Sequence, residues 1–392
     1  MTYRTTMTGS WFRPPELVEK LSRAPTGELG PEDEALYLAA ERQAMRDQLH
    51  PAGSPTGLDQ VSPGEQRITG YTTFLPNRFE GFSRTERVAM PFSSELLAEM
   101  AESNPALAAQ LGATREAFAL PKIVAPLRYR DPSAARRAAR DAARLAQEEG
   151  APGVFLPAPS PGVITIFYPN NPEVYPSHFD YLDALTGELA KEYRAILEVP
   201  GVTLQVDAPD LAMGKQTATG WGVGFYEALP RHVEAINRAL TGLPKERIRV
   251  HYCYGNYAAS HRSDADFARV LPEIVGLHTS AIVGELANPR HEGDLLILQE
   301  YAREHGWPKH LAFVGGVVDV KTPIVESART VRLRLEQLAR AVGPENTWGG
   351  SDCGFETFAR MNGVPRSVAL QKLRALVEGA RGTGPEGGGT AA

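Results

Sequence analysis

The sequence predicts an α/β fold of the (β/α)8 TIM-type barrel class, on three observations. Apolar runs of four to seven residues alternate with longer helical patterns, which implies βα units and a parallel sheet. The runs are almost continuously apolar, as strands covered on both faces must be. Most of them end in or near a glycine, proline or polar cluster, as expected where barrel strands meet the loops of their C-terminal face. The 392 residues suit one barrel with loop insertions, expected as a single catalytic domain over residues 1–378. Residues 379–392, rich in Gly, Thr, Pro and Ala, are expected to form a disordered tail.

Taken in order, residues 1–11 read as a short strand ending at Gly9-Ser10-Trp11, and residues 34–48 as a helix. A Pro/Gly-rich connection, Pro51 to Gly57, leads to a second strand-like run that closes on Gly64-Glu65. Further runs follow at Ile123–Leu127, Gly153–Leu156, Val202–Val206, Ile248–Cys253, Ala281–Glu285 and Leu311–Gly315, with another at Asn346–Cys353. The clearest helical stretches are Ser133–Gln147, His178–Leu197, Phe225–Leu240, Asp264–Leu277 and Ile324–Val342. A barrel needs eight strands, so one run is surplus, and Ile123–Leu127 is the one expected outside it. A doubly wound open sheet is the competing architecture. Against it, no GxGxxG turn follows any strand.

Composition narrows the function. Hydrophobic residues are 42% and charged residues 22%, enough for a sizeable core. Forty-one basic against 47 acidic residues leave a net charge of −6, and no stretch is strongly basic, so neither nucleic acid nor an anionic membrane is an expected partner. No apolar run is long enough to span a bilayer, and the N-terminus has no signal-peptide core. Two cysteines cannot build a disulfide framework. A cytoplasmic globular protein is the expectation. Oligomeric state leaves no mark in the sequence.

The strongest local signal is His251-x-Cys253. Side chains at i and i+2 of a strand point the same way, so an imidazole and a thiolate face one point. Both are good zinc ligands. Glu285 ends the next strand and Cys353 lies near the end of the last, completing an N, O and two S set drawn from across the chain. The competing interpretation is two ordinary buried cysteines and a hydrogen-bonded core histidine. The residues alone leave both open.

At these residues the sequence resembles the cobalamin-independent methionine synthase family, in its catalytic C-terminal barrel and its stand-alone single-barrel branch. The matching pieces occur in order: Thr8-Gly9-Ser10, Gly64-Glu65, Leu204-Gln205-Val206-Asp207 with Pro209, His251-Tyr252-Cys253-Tyr254-Gly255-Asn256-Tyr257, Glu285, Gly315-Gly316-Val317 and Asp352-Cys353-Gly354-Phe355. The resemblance implies that His251, Cys253, Glu285 and Cys353 hold Zn2+. It implies that Glu65 and Asp207 hold the amino group of a thiol amino acid, and that Ser10 meets its carboxylate. It places an aromatic after the Pro159–Gly162 turn, where Phe167 and Tyr168 follow, against the alkyl donor, with Phe167 the candidate for substrate binding. The partners implied are a small-molecule thiol and an alkyl, most readily methyl, donor.

The chain departs from the family in two places. The long enzymes carry a second barrel that helps build a folate site, and one barrel is expected here. The segment Asp319-Val320-Lys321-Thr322-Pro323 has Lys321 where the long form has a histidine taken to be a proton donor, and a lysine is a poorer acid near neutral pH. The branch also contains epoxyalkane:coenzyme M transferases, so opening of an epoxide by a sulfonated thiol is one alternative to methyl transfer. A non-catalytic barrel with structural zinc is another. Of the remaining residues, His261 and His291 are expected beside the metal ligands or at the surface, Tyr252, Tyr254 and Tyr257 mainly in packing, Lys215 as a weak candidate for an anion, and Gly220-Trp221-Gly222 as a flexible lid.

Overall fold

The computed structural model describes residues 1–23, 30–70, 73–89, 92–113, 120–217, 220–359 and 363–383. Its frame is a curled, all-parallel sheet of seven strands: β1 (Arg4–Thr5), β4 (Val154–Pro159), β5 (Val202–Asp207), β6 (Ile248–His251), β7 (Ala281–Gly284), β8 (Ala312–Val318) and β9 (Thr347–Ser351), in the order β1-β9-β8-β7-β6-β5-β4. The gap between the two edge strands is bridged by residues 59–61. The amides of Asp59 and Gln60 donate to the Thr5 carbonyl at 2.9 and 3.2 Å, and Val61 exchanges two 2.9 Å bonds with Gly153 and Phe155. Val61 thus pairs in parallel with Val154, and the sheet closes into a TIM-type barrel.

Every residue of β6 and of β7 is buried, as the near-continuous apolar runs required. Helices cover the outside, among them Ser133–Glu148, His178–Leu197, Phe225–Ala239, Phe267–Val275, Ala328–Val342 and Arg366–Arg381. The barrel interior is partly polar. Arg249 is buried inside it, its guanidinium donating to Thr6, Met7, Gln60 and Gln205 and lying 3.5 Å from the Phe155 ring centroid.

The surplus run is the one expected. It belongs to β3 (Leu120–Tyr129), which pairs antiparallel with β2 (Phe79–Val88) in a two-stranded ribbon separate from the barrel. An apolar run on a ribbon with one open face cannot be wholly buried, and Val124 is 45% exposed. Between the two arms lie helices Ser94–Ser103 and Pro105–Ala113, which the sequence pattern had not singled out.

Helix starts shift to where a capping side chain is available. The 264–277 stretch begins its helix at Phe267, with Asp266 accepting from the Ala268 amide, because Asp264 is engaged elsewhere. The 324–342 stretch begins at Ala328 behind Ser327. The Pro159–Gly162 turn opens a short helix, Pro161–Phe167, capped by Ser160. The last helix runs to Arg381, past the expected start of the tail at Gly379. A Cβ at Gly379 would sit 2.6 Å from the Ala328 carbonyl and Val331, so the glycine lets two helices pack closely rather than ending one. Residues 384–392 lie outside the described residues. Among the described residues, no helix is long and apolar enough to cross a membrane.

Candidate metal centre

The C-terminal strand ends converge as a parallel barrel dictates. β6 delivers His251, and Cys253 follows two residues on with the same inward direction. The turn after β9 delivers Cys353. One ligand atom from each of these three lies within 4.8 Å of the others. The two sulfurs are 3.7 Å apart, and both cysteines are free and buried. The Gly255 amide donates to Cys253 Sγ at 3.1 Å.

Glu285, one residue beyond β7, is completely buried. Its Oε1 lies 3.3 Å from Cys253 Sγ and accepts from the Tyr254 amide, while its Oε2 accepts from Lys321 Nζ at 2.5 Å. It therefore sits against the sulfurs but is already ion-paired. Burial works against its charge, yet Lys321 beside it holds its carboxyl below the usual range.

The imidazole is oriented by a chain of interior polar groups. His251 Nδ1 pairs with Asp207 Oδ1 at 3.1 Å, Gln205 Nε2 donates to the same oxygen at 2.7 Å, and Arg249 Nε donates to Gln205 at 2.8 Å. His251 Nε2 is left buried with no hydrogen-bond partner. An imidazole with one nitrogen on a carboxylate and the other vacant is how metal-ligating histidines are presented. Burial opposes the imidazolium, but Asp207 and Cys353 outweigh it and lift His251 to about 10. Cys353 falls to about 5, held down first by a hydrogen bond from Cys253 and then by His251, against burial. Cys253 is pushed well up, first by Cys353 and then by burial. The donor set of imidazole and two sulfurs fits a zinc ion, which deprotonates coordinated thiols.

Above these groups opens a cavity of about 450 Å³ lined by Ser10, Glu65, Phe167, Asp207, His251, Cys253 and Cys353 among others. All the expected site residues except Glu285 face it; Glu285 lies behind. Glu65 sits at φ 56°, packed against Gly9, which itself turns at φ 54°. A Cβ at Gly9 would come within 2.5 Å of Glu65 Oε1. Glu65 Oε2 is buried without a partner, and burial followed by the charge of Asp207 raises the carboxyl to about 8. Two carboxyl groups, one of them unsatisfied, thus face the same space.

The remaining expectations are met in part. His261 and His291 are buried rather than at the surface, and His291 lies close enough to Glu285 for their charges to attract, so of the two expected placements the one beside the ligands holds. His261 pairs with Asp264 and the Tyr257 carbonyl, and His291 with Asp264 and Asp294, so all four ring nitrogens are occupied. Trp221 is packed rather than lid-like: it is buried and stacks on His178 and His232 at 4.6 and 4.4 Å. Lys215 Nζ donates to the Ser263 carbonyl at 2.5 Å. Tyr252 and Tyr254 pack in the core, and Tyr257 lines the cavity.

Two roles were missed. Asp352 accepts from the amides of Leu286, Ala287 and Asn288 and so fixes the loop that carries Glu285. Gln205 and Arg249 were detectable in principle, because each lies two residues before a site residue on the same strand face.

The family model for the catalytic domain of cobalamin-independent synthases matches residues 161–381, a span that includes all four residues of the N, O and two S set. The chain belongs to the cobalamin-independent synthase family. Within that family it is 24% identical over 378 residues to a methionine synthase of Saccharolobus solfataricus, across 96% of this chain and 93% of that one. It is 28% identical over 170 residues to a 2-hydroxypropyl-CoM lyase of Xanthobacter autotrophicus, across 38% of this chain and 44% of that enzyme. The structure of a B12-independent methionine synthase from Shewanella sp. W3-18-1, in complex with selenomethionine, superposes with a TM-score of 0.67 at 19% identity, covering 97% of each chain. At that identity the likeness is one of fold.

Proposed function

We propose that this protein is a zinc-dependent thiol alkyltransferase, with residues 1–378 acting as one catalytic barrel, and that it moves a methyl group to a small thiol amino acid such as homocysteine. The observation that carries this reading is the vacant, buried Nε2 of His251 beside two free sulfurs 3.7 Å apart. His251, Cys253 and Cys353 would hold the ion, with Glu285 as the fourth donor. Bound zinc would deprotonate an incoming thiol near neutral pH and keep its sulfur nucleophilic.

The chain's own residues do the rest. Asp207 keeps the imidazole in one orientation, with Gln205 and Arg249 behind it. Glu65 and Asp207 would clasp the substrate ammonium, which supplies the partner that Glu65 Oε2 lacks. Ser10, buried at the cavity wall, would meet the carboxylate. Phe167 would pack against the donor and help to exclude water. A carbon–sulfur bond forms as the donor's bond to that carbon breaks, and the electron pair stays with the leaving group.

A sulfonated acceptor is disfavoured. Among the described residues lining the cavity, Lys321 is the one Lys or Arg, and its ammonium is committed to Glu285. The test is metal analysis of the purified protein, X-ray absorption at the zinc edge with and without homocysteine, and methyl transfer in Cys353→Ser. Stoichiometric zinc, a coordination change on adding the thiol, and joint loss of metal and transfer in the variant are expected. Full activity in metal-free protein would overturn the proposal.

A further inference from the structure

The cavity reaches well beyond the ligand cluster, and its outer wall is apolar. Phe92, Leu96, Met100, Leu107 and Phe358 line it. Leu96 and Met100 are four residues apart on helix Ser94–Ser103 and so share one face, while Leu107 comes from helix Pro105–Ala113. Both helices belong to the insertion between β2 and β3, outside the barrel.

This wall is tied to the metal-ligand strand. Glu99, between Leu96 and Met100, accepts from the amides of Arg262 and Ser263 at 3.1 and 3.2 Å and from the hydroxyls of Ser260 and Ser263. The Ser260 amide donates to Ser103 Oγ at 3.1 Å, and Asn104 Nδ2 to the Ala258 carbonyl at 2.7 Å. All these partners lie on the loop that continues from Cys253. The hydrogen bonds therefore set the position of the apolar wall relative to the sulfurs.

Charge completes the argument. Among the described residues of the cavity lining, Glu65 and Asp207 are the carboxylates, and the one Lys or Arg is ion-paired with Glu285. Among the described lining residues an anionic group finds no Lys or Arg that is not already ion-paired, and a buried unpaired charge is costly.

We infer that the electrophile is an uncharged molecule whose alkyl body packs on the wall formed by Phe92, Leu96, Met100, Leu107 and Phe358. The inference rests on the alkyl-transfer reading for the reaction, but its binding claim can be tested alone. Calorimetric titration of the zinc-loaded protein with a series of n-alkanols should show affinity rising about fourfold per added methylene while the chain fits. Alkanesulfonates of equal length and 5-methyltetrahydrofolate triglutamate should bind at least about tenfold more weakly than the best alkanol. Leu96→Asn should flatten the chain-length dependence. Ala106→Lys, at an exposed position on the cavity rim, should improve sulfonate binding relative to alkanol without disturbing the core. Flat chain-length dependence in the wild type, tighter binding of the anions, or no response to either variant would overturn the inference. Repeating the series in Cys353→Ser separates the two ideas. Retained alkanol binding there supports the wall, and if it is accompanied by a lack of thiol transfer in the wild type, only the reaction reading falls.

Discussion

Lys321 and Glu285 form a buried ion pair, Nζ to Oε2 2.5 Å, with side chains 6% and 0% exposed. They come from the ends of neighbouring strands, and the glutamate is at the same time against Cys253. One carboxylate oxygen of Glu285 is thus taken by the lysine while the other lies 3.3 Å from Cys253 Sγ. Burial disfavours the ammonium, but Glu285 and then Asp352 outweigh it and raise the Lys321 pKa.

Breaking this pair from one side leaves a bare buried charge. Lys321→Met should lower the stability of the metal-free protein by about 3–5 kcal/mol, whereas Lys321→Met/Glu285→Gln should recover most of the loss. Denaturant unfolding of the three proteins measures it. An equally unstable double variant would show that the lysine matters for something other than the charge of Glu285.

On the zinc reading, Asp207 would act on the metal through its bond to His251 Nδ1. Asp207→Asn keeps the shape but weakens the orienting bond at Nδ1, and metal affinity should fall roughly 10–100-fold. Competition with a zinc chelator reads this directly. Unchanged affinity would mean that the imidazole is held by packing alone.

Glu65 predicts a proton count. Its pKa of about 8 in the free protein, raised first by burial and then by Asp207, means that it is mostly protonated at pH 7. An ammonium placed beside it favours the carboxylate, so ligand binding should expel that proton. Methionine, which has no thiol proton of its own, is the clean probe. Titration calorimetry at pH 7 in buffers of different ionisation enthalpy should find close to one proton released, and none in Glu65→Gln. Proton uptake would place the ammonium elsewhere.

The His178–His232 pair should make the fold acid-sensitive. Their Nε2 atoms are 2.9 Å apart, and burial followed by the neighbouring imidazole lowers His178 from 6.5 to about 3. Between those values the unfolded chain binds a proton that the folded protein refuses. This contribution is complete above pH 6.5 and is lost as pH falls towards 3. His178→Gln should lose less stability than the wild type between pH 6.5 and 5, in parallel urea titrations. Identical slopes would remove His178 as the cause.

Much of the fold and part of the site could be read in the amino-acid order, because they follow from short-range periodicity. Alternation of apolar runs with helical patterns announced the barrel. The two-residue step from His251 to Cys253 aimed both at one point, although β6 ends at His251 and Cys253 lies just beyond it, and polar residues at distant strand ends implied a shared mouth. What the three-dimensional arrangement alone decided are pairings between residues far apart in the chain. Residues 59–61 close the barrel by bonding to two strands at once, and Ile123–Leu127 leaves it for an antiparallel ribbon. Glu285 proved to be shared with Lys321, Asp352 to clamp the Glu285 loop, and Glu99 to tie an inserted helix to the loop after Cys253. Each depends on strand register and on where a long connection folds back. Local propensity carries no information about either, since the energy that selects them arises only when the partners meet.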